Sequence, residues 1–317
     1  MHSEFLQLYR GDADTICKEL GAGLLAPQAH TSPKYLYDVL GSKLFAAICA
    51  LPEYYPTRTE AAIFERHLSD IARSTGSGMT LIDLGAGNCE KAARLFSSLQ
   101  PTQYVPVDIS VDFLRDAVEF LHLRYPHIRL TGVGLDFSNT LELPESVRRD
   151  KRLFFYPGSS IGNYTPAQAA AFLRRIREAC SSDGGLLIGV DLVKDVELLC
   201  AAYDDAIGLT AAFNLNLLRH LNTLLDADFD AAQWKHHACF NPEESRIEMH
   251  LDALCDVTVH WQGGQRAFRQ GESIHTENSY KYTPERFLQL LDRAGFGRVR
   301  TWTDANDWFL VCHASMH

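Results

Sequence analysis

The middle of the chain alternates between short apolar runs and segments with helical spacing. Apolar runs predict strands at residues 80–84, 104–108, 129–135, 153–156 and 186–191. Between the second and third of these runs, an apolar face extends from Val111 to Leu121 on a helix that Ser110 can cap. Strands that alternate with helices predict an α/β fold built on a mostly parallel sheet.

The alternation ends after residue 195. Residues 195–230 have the spacing of helices, and residues 246–261 and 265–281 alternate as antiparallel strands do. Thr283 then opens a helix that Gly295 closes before two final strands. We therefore predict an N-terminal arm at residues 1–60, a Rossmann-like sheet domain at 61–195, an inserted lobe at 196–282 and the end of the sheet domain at 283–317. The arm and the insertion are expected to form a second, substrate-binding lobe.

Composition narrows the choice of partners. The formal charge of −10 disfavours nucleic acid and anionic membranes. The eight cysteines are scattered without a C-x-x-C pair and the thirteen histidines show no metal-ligand spacing, so no metal site is predicted and His236-His237 is expected at the surface. Neither a secretory signal nor a membrane span is recognisable. These features predict a cytoplasmic protein, expected to be a monomer, that acts on a small molecule.

The pattern Asp83-x-Gly85-x-Gly87 joins the first strand to a helix expected at residues 90–98. Glycines let the backbone turn tightly and approach a ligand closely. The turn lacks the Gly-Lys-Ser/Thr ending of a P-loop, and it lacks the third glycine of a dinucleotide-binding turn. Asp83 would also repel a pyrophosphate. The turn resembles the first motif of Rossmann-like, class I methyltransferases that use S-adenosylmethionine (SAM). The alternative is an ordinary strand-to-helix turn.

Acidic residues close the next two strands. Asp108 follows the glycines by about 20 residues, the spacing of a carboxylate that accepts hydrogen bonds from ribose hydroxyls. Asp136 and Phe137 could hold the amino group and the ring face of an adenine. The alternatives are a loop cap for Asp136 and a core aromatic for Phe137.

Two further segments are candidates for ligand binding. Residues 157–164 place two glycines, two serines and Asn163 between a strand and a helix opened by Thr165. Ligands of open α/β sheets bind at the carboxyl ends of strands, so this loop is a candidate site. Four tyrosines from Tyr35 to Tyr55 form a rigid aromatic segment. It is either a packing arm or a lid over a small ligand.

Longer motifs carry a more specific resemblance. They lie at residues 37–38, 41–42, 51–60, 158–163, 191–195, 202–206, 213–214 and 246–249. The most extended are Leu-Pro-Glu-Tyr-Tyr-Pro-Thr-Arg-Thr-Glu at 51–60 and Gly-Ser-Ser-Ile-Gly-Asn at 158–163. From about residue 33 onward the chain closely resembles the histidine-specific N-methyltransferase family of ergothioneine biosynthesis. The resemblance implies a two-lobed enzyme that methylates the α-amino group of L-histidine three times, through the mono- and dimethyl forms, to the betaine hercynine.

The resemblance also implies roles for individual residues. The residues implied for SAM are Gly85, Gly87, Lys91, Asp108, Asp136 and Phe137. Those implied for catalysis and for the amino and carboxylate groups of histidine are Asn163, Tyr203 and Tyr37, with Gly158 nearby. Those implied for the imidazole are Glu277 and Ser279, with Tyr54 and Met249 lining its site. Asn278 and Tyr280 depart from the family pattern and could alter selectivity for the side chain.

The residue chemistry agrees with this assignment. Glu277 and Ser279 are two apart on a predicted strand, so a carboxylate and a hydroxyl face the same side and can bracket the two nitrogens of an imidazole. The alternatives are a solvated strand residue for Glu277, a tyrosine at the edge of the core for Tyr203 and a helix cap for Asn163. The rival functions are a related enzyme for tryptophan or a modified histidine, a non-catalytic protein that binds the cofactor, and a nicotinamide-dependent oxidoreductase.

Overall fold

The computed structural model describes residues 4–8, 12–138, 140–180 and 182–316. The strands are β1 (Glu4–Gln7), β2 (Ala29–His30), β3 (Thr80–Leu84), β4 (Gln103–Asp108), β5 (Arg129–Gly134), β6 (Arg152–Tyr156), β7 (Gly185–Asp191), β8 (Trp234–Asn241), β9 (Arg246–Ala253), β10 (Val257–Trp261), β11 (Gly264–Phe268), β12 (Ser273–Tyr280), β13 (Arg298–Thr303) and β14 (Phe309–Ser315). The α-helices are α1 (Ala13–Leu25), α2 (Val39–Ile48), α3 (Tyr55–Thr75), α4 (Glu90–Ala93), α5 (Phe96–Leu99), α6 (Val111–Arg124), α7 (Pro166–Ala179), α8 (Val196–Ala201), α9 (Leu209–Leu225) and α10 (Pro284–Arg293). Within these residues no helix combines the length and apolar character needed to cross a bilayer.

The chain divides into two compact units. The first, the sheet unit, comprises Met1–Arg10, Pro56–Val193 and Lys281–His317. The second, the insert unit, comprises Gly11–Tyr55 and Lys194–Tyr280. The insert unit therefore combines most of the N-terminal arm with the segment that interrupts the strand–helix alternation.

An eight-stranded sheet forms the centre of the sheet unit, in the order β1-β5-β4-β3-β6-β7-β14-β13. Neighbouring strands pair in parallel, except that β14 is antiparallel to both β7 and β13. The chain runs outward from β3 through β4 and β5, then returns to add β6 and β7 on the other side of β3. The loops after β3 and β6 therefore flank the point where the strand order reverses, which is where α/β sheets bind ligands.

Burial accounts for the elements that the sequence predicted. Every residue of β3 and β7 is buried, as in central parallel strands covered on both faces. Thr165 caps α7 in a capping box with Gln168, and Gly295 takes a left-handed φ of +95° just beyond α10. Two details of the prediction are wrong. The helix expected at residues 90–98 is split into α4 and α5, and the side chain of Ser110 does not cap α6.

The insert unit contains a four-stranded sheet in the order β2-β12-β9-β8 and a separate hairpin of β10 and β11. Helix α9 packs on β8 and β9. Strand β8 was not predicted, because its sequence Trp-Lys-His-His-Ala-Cys-Phe-Asn mixes half-buried histidine, alanine and cysteine and gives no clean apolar alternation.

A β-bulge at Thr276 interrupts the pairing of β12 with β9. His275 lies opposite His250 and Glu277 lies opposite Met249, so Thr276 is an extra residue between the two pairs. Its hydroxyl donates to the carbonyl of Met249 at 3.1 Å. Because side chains alternate along a strand, one extra residue reverses the face that all later residues occupy. Glu277 consequently shares a face of the sheet with Met249.

The carboxyl group of Asp83 is buried in the core of the sheet unit. Asp83 is 2% exposed, and one carboxyl oxygen accepts a hydrogen bond from the Tyr104 hydroxyl at 2.7 Å. Burial raises the pKa of Asp83 to about 7, even though the Tyr104 hydrogen bond acts in the opposite direction. The argument that Asp83 would repel a bound pyrophosphate is therefore wrong, because this group faces a tyrosine.

Replacing Asp83 with Asn should change how stability depends on pH. The folded-state pKa of about 7 lies above the ordinary value of 3.8, so the folded protein binds the extra proton and wild-type stability falls as pH rises from 3.8 to about 7. Asparagine does not titrate, and its carbonyl can still accept from Tyr104. The stability of Asp83→Asn relative to wild type should therefore grow by a few kcal/mol, as an order of magnitude, between about pH 4 and pH 8. Urea unfolding at several pH values measures it; a difference independent of pH would contradict the assignment.

Candidate active site

The glycine turn after β3 is tied to the end of β4. The amides of Gly85 and Ala86 donate to the carbonyl of Val107 at 2.8 and 3.2 Å. The amide of Gly87 donates to the Asp108 carboxylate at 2.9 Å. Both glycines have positive φ, +72° and +51°, which is why the turn requires them. The predicted ribose-binding carboxylate therefore also fixes the shape of the turn.

Asp108 keeps acceptor capacity for a ligand. One oxygen accepts from Gly87 and the other from the amide of Ser110 at 2.9 Å. A carboxylate offers about four acceptor sites, so these hydrogen bonds do not use its whole acceptor capacity. Burial raises the pKa of Asp108 while the backbone hydrogen bonds oppose that rise.

Asp136 and Phe137 follow β5 at the same edge of the sheet. Asp136 accepts hydrogen bonds from the amide of Ser138 at 3.0 Å and from its hydroxyl, as a loop cap does. The half-buried ring of Phe137 packs against Tyr156 with centroids 6.0 Å apart. A Cβ built on Gly85 would lie 3.8 Å from the Phe137 ring. Phe137 thus forms a wall beside the glycine turn as well as part of the aromatic packing.

Glu60, which the sequence analysis did not single out, links the two loops at the reversal point. Its side chain is only 2% exposed, and its two oxygens accept from the Lys91 ammonium at 2.9 Å and from the Gly158 amide at 2.7 Å. Gly189 on β7 makes room for it, because a Cβ there would lie 2.2 Å from a Glu60 oxygen. Lys91 and Gly158 are thus held by one carboxylate.

The loop after β6 brings Asn163 to the carboxyl edge of the sheet. Gly158 and Ser159 have φ of +76° and +63°, and the Ser159 hydroxyl accepts from the amide of Asp191 at 2.9 Å. Asn163 ends a 3₁₀ turn, Ser160–Asn163, and is half-buried. The cap of the following helix is Thr165, so the helix-cap interpretation of Asn163 is wrong.

A buried ion pair lies at the carboxyl end of β7, at the same edge of the sheet. Lys281 and Asp191 lie 2.8 Å apart with side chains 0% and 1% exposed. Such a pair is strongly destabilising to break, because removing one partner leaves the other charge buried. Sequence reasoning missed it, since Lys281 lies 90 residues away along the chain from Asp191.

In the insert unit, the tyrosines of the arm pack into an aromatic cluster. Tyr37 contacts Phe45 and Phe213, each with centroids 5.5 Å apart, and Tyr54 contacts Tyr203 at 6.2 Å. The aromatic segment from Tyr35 to Tyr55 therefore packs within the insert unit, as predicted for a packing arm. Tyr54 is 9% exposed, and burial raises its pKa well above the ordinary value of 10.0.

The predicted imidazole-binding residues share one face of β12. Glu277 lies opposite Met249 and Ser279 lies opposite Ile247 across β9. Glu277 is 9% exposed, which excludes a solvated strand residue. The Ser279 and Tyr203 hydroxyls lie 2.6 Å apart, so Tyr203 is more than a tyrosine at the edge of the core.

The two departures from the family pattern occupy the opposite face of the strand. Asn278 pairs with Glu248, and Tyr280 pairs with Arg246. The Tyr280 hydroxyl accepts a hydrogen bond from Arg246, whose guanidinium also lies 5.1 Å from the Tyr280 ring centre. The prediction that these residues could alter selectivity is not supported, because neither faces the side of Glu277 and Ser279.

His236 was expected at the surface, and this is wrong. It is half-buried on the same face as Met249, and its Nε2 lies 2.8 Å from the carbonyl oxygen of Tyr203. Asn214 donates to the other ring nitrogen at 3.0 Å. Burial lowers the pKa of His236. A neutral His236 thus fixes the backbone of Tyr203, and the Phe213-Asn214 motif supplies its partner.

Comparisons with known proteins identify the family of this chain. A model of the family described as histidine-specific methyltransferase, SAM-dependent, matches residues 16–316. The chain is 40% identical over 298 residues to the histidine N-alpha-methyltransferase of Mycolicibacterium smegmatis, covering 92% of each chain. It is 37% identical over 300 residues to the Mycobacterium tuberculosis protein of that name, covering 90% of each. It is 30% identical over 285 residues to ergothioneine biosynthesis protein 1 of Neurospora crassa, covering 87% of this chain and 32% of that protein.

Among solved structures, the CcbJ methyltransferase from Streptomyces caelestis aligns with a TM-score of 0.47 and 14% identity, covering 80% of this chain and 95% of that one. The family match spans residues 16–316 and includes both the glycine turn and the Glu277–Ser279 strand. The chain therefore belongs to the SAM-dependent histidine-specific methyltransferase family.

Proposed function

We propose that the chain transfers three methyl groups from SAM to the α-amino nitrogen of L-histidine and releases hercynine. The observation that carries the proposal is the buried pair of Glu277 and Ser279 on one face of β12. A neutral imidazole has one donor and one acceptor nitrogen, and this pair offers an acceptor to the first and a donor to the second. A side chain without those nitrogens would leave buried polar groups unpaired, which is the strongest basis for rejecting it.

Tyr203 orients this pair. Its hydroxyl lies 2.6 Å from that of Ser279, so the two groups fix each other's position on the face of Glu277. His236 holds the Tyr203 backbone, so the hydroxyl is fixed from two directions. Met249, which lies opposite Glu277, supplies an apolar wall for the ring. Together these groups favour a flat, two-nitrogen heterocycle over a plain aromatic ring.

Groups at the reversal point of the sheet fit SAM. Asp108 has acceptor capacity for the ribose hydroxyls, and Phe137 beside Gly85 offers a surface for the adenine. The Lys91 ammonium suits the carboxylate of the methionine moiety, and Glu60 fixes its direction. Asn163 is the proposed ligand of the substrate amino group.

Methyl transfer is an in-line displacement. The nitrogen lone pair forms a bond to the methyl carbon as the carbon–sulfur bond breaks, and that bonding pair stays on sulfur, which becomes a neutral thioether. Only the neutral amine can attack, so each round requires loss of one proton from nitrogen. Burial keeps Tyr54 a neutral phenol, so we assign the proton to water and the catalysis mainly to positioning.

The aromatic cluster suits a nitrogen that becomes a permanent cation. The rings of Tyr37, Tyr54 and Tyr203 lie within one cluster of the insert unit. Aromatic faces attract a quaternary ammonium and require no N–H donor from it. The dimethyl and trimethyl forms therefore lose nothing that these rings recognise. The expected enzyme is a cytoplasmic monomer that needs no nucleic acid, membrane or metal for this transfer.

Selectivity for histidine should depend on Glu277 and be independent of its neighbour Asn278. Glu277→Gln keeps the shape and removes the charge, and hydrogen bonds to charged groups contribute about 1.5–3 kcal/mol. We expect kcat/KM for histidine to fall about 10- to 150-fold while the SAM dissociation constant stays within about twofold. Asn278→Ala, which faces the other side of β12, is the matched control and should change kcat/KM by less than about threefold. Equal effects of the two substitutions would refute the assignment of the imidazole site.

The number and place of the methyl groups form a separate test. A time course with histidine and excess SAM, followed by mass spectrometry, should pass through one and two added methyl groups and end at three. Fragmentation should place all three on the α-nitrogen. The dimethyl form supplied directly should be converted at least as fast as histidine, because the aromatic cluster favours the growing cation. A reaction that ends at one methyl group, or that modifies a ring nitrogen, would overturn the proposal.

A further inference from the structure

The face of the insert-unit sheet opposite Glu277 and Ser279 carries a second group of reactive side chains. Cys239 on β8 lies directly across from Glu248 on β9, and His250 follows two residues later on the same face. One candidate ligand atom from each of these three residues lies within 4.8 Å of the other two. A thiol, a carboxylate and an imidazole therefore lie close together, on the opposite face of the sheet to the residues assigned to the substrate.

The carboxylate of this group is held in place and ionised. Its Oε1 accepts from Asn241 at 2.9 Å and from Nε and Nη2 of Arg246 at 2.8 and 2.7 Å. Its Oε2 lies 3.0 Å from Nε2 of His250. The guanidinium of Arg246 thus forms an ion pair with this carboxylate, and Asn241 adds a further donor to the same oxygen. The oxygen on the side of His250 is thus a fixed, charged acceptor.

The imidazole and the thiol are held less firmly than the carboxylate. The Nδ1 atom of His250 is buried and has no hydrogen-bond partner within the described part of the chain. The ring of His275 stacks on that of His250 with centroids 4.7 Å apart, which fixes the ring without satisfying this nitrogen. The Cys239 thiol is half-buried and lies directly across from Glu248 in the pairing of β8 with β9. A carboxylate, a half-buried thiol and an imidazole this close together form a setting that a cation would stabilise.

We propose that Cys239, Glu248 and His250 bind one divalent metal ion of the zinc class, with a fourth coordination position open to water. Thiolate and imidazole are ligands of zinc and its neighbours, whereas magnesium and calcium take oxygen ligands. Ligand atoms of a tetrahedral zinc site lie about 3.5 Å apart, given metal–ligand distances of roughly 2.0–2.3 Å. Because Glu248 and His250 are held by their neighbours, the movement that would close the present spacing is a rotation of the Cys239 side chain. The thiol proton is released to solvent as the metal–sulfur bond forms.

The metal site is independent of the proposed methyl transfer. Its three residues project from the opposite face of β8 and β9 to His236 and Met249. An ion there would crosslink β8 and β9 through their side chains and would therefore have a structural role. Its presence or absence can be measured without any methylation assay, so the two proposals fail separately.

The test uses cobalt(II) as a spectroscopic probe and zinc(II) as a competitor. The full-length protein is dialysed against a chelator, and cobalt(II) is then added stepwise while the absorption spectrum is recorded. The wild-type protein should bind one equivalent and develop a thiolate-to-cobalt charge-transfer band that zinc(II) abolishes. Cys239→Ser should lose the band and bind zinc(II) at least tenfold more weakly. Cys255→Ser, which removes an exposed cysteine beyond β9, is the matched control and should behave as wild type.

A second variant separates coordination from folding. His250→Gln can still donate to Glu248 but offers no imidazole, so it should also weaken zinc(II) binding at least tenfold while its unfolding midpoint in urea stays near that of the metal-free wild type. The proposal is overturned if wild type shows no charge-transfer band. It is equally overturned if Cys239→Ser keeps the band, or if the control Cys255→Ser loses it.

Discussion

One extra residue in strand β12 determines which side chains the insert unit presents on each face of its sheet. Without the bulge at Thr276, Glu277 would pair with Glu248 instead of Met249 and would lie on the face that carries Arg246. The bulge instead places Glu277 and Ser279 together on the face of Met249, which is the face proposed to bind the imidazole. A bulge leaves one residue outside the ladder, and the hydrogen bond from the Thr276 hydroxyl to Met249 compensates in part.

A comparable constraint acts in the sheet unit. A carboxylate as buried as that of Glu60 is tolerable only when charged and polar partners surround it, and here Lys91 and the Gly158 amide are those partners. The arrangement also needs the absence of a side chain at Gly189. The loops after β3 and β6 therefore depend on one residue from α3, so the protein's own contacts shape the site that we propose for SAM. This preorganisation is what a reaction that relies on positioning requires.

Local patterns predicted much of this structure. The apolar runs predicted the parallel strands. Thr165 correctly marked the start of α7, and Gly295 correctly marked the end of α10. The glycine turn indicated the resemblance to methyltransferases. The assignment of Glu277 and Ser279 to one face followed from their spacing, and the structure agrees. The resemblance to the family supplied the roles that spacing alone left open, above all for Asn163 and Tyr203.

What could not be predicted depends on contacts between residues far apart in the chain. Glu60 meets Gly158 and Lys281 meets Asp191 only because the sheet brings their segments together. His236 was misplaced because strand β8 has no apolar alternation, so nothing in its sequence indicated which histidine faces inward. The sequence did not predict the cluster of Cys239, Glu248 and His250 for the same reason. A ligand pattern spread over two strands has no fixed spacing in sequence, and only their register shows it.

Each face of the insert-unit sheet carries a glutamate, Glu277 on one and Glu248 on the other, but the groups around the two carboxylates differ. On the Glu277 face, the proposed imidazole site combines this carboxylate with the hydroxyl of Ser279, which in turn contacts Tyr203. On the Glu248 face, Arg246 and Asn241 saturate one oxygen and leave the other toward a thiol and an imidazole. A carboxylate with one oxygen satisfied is a poor site for a flexible organic substrate but a suitable one for a small ion. The separation matters because a metal ion beside the methyl acceptor would compete for the same nitrogen lone pair that must attack SAM.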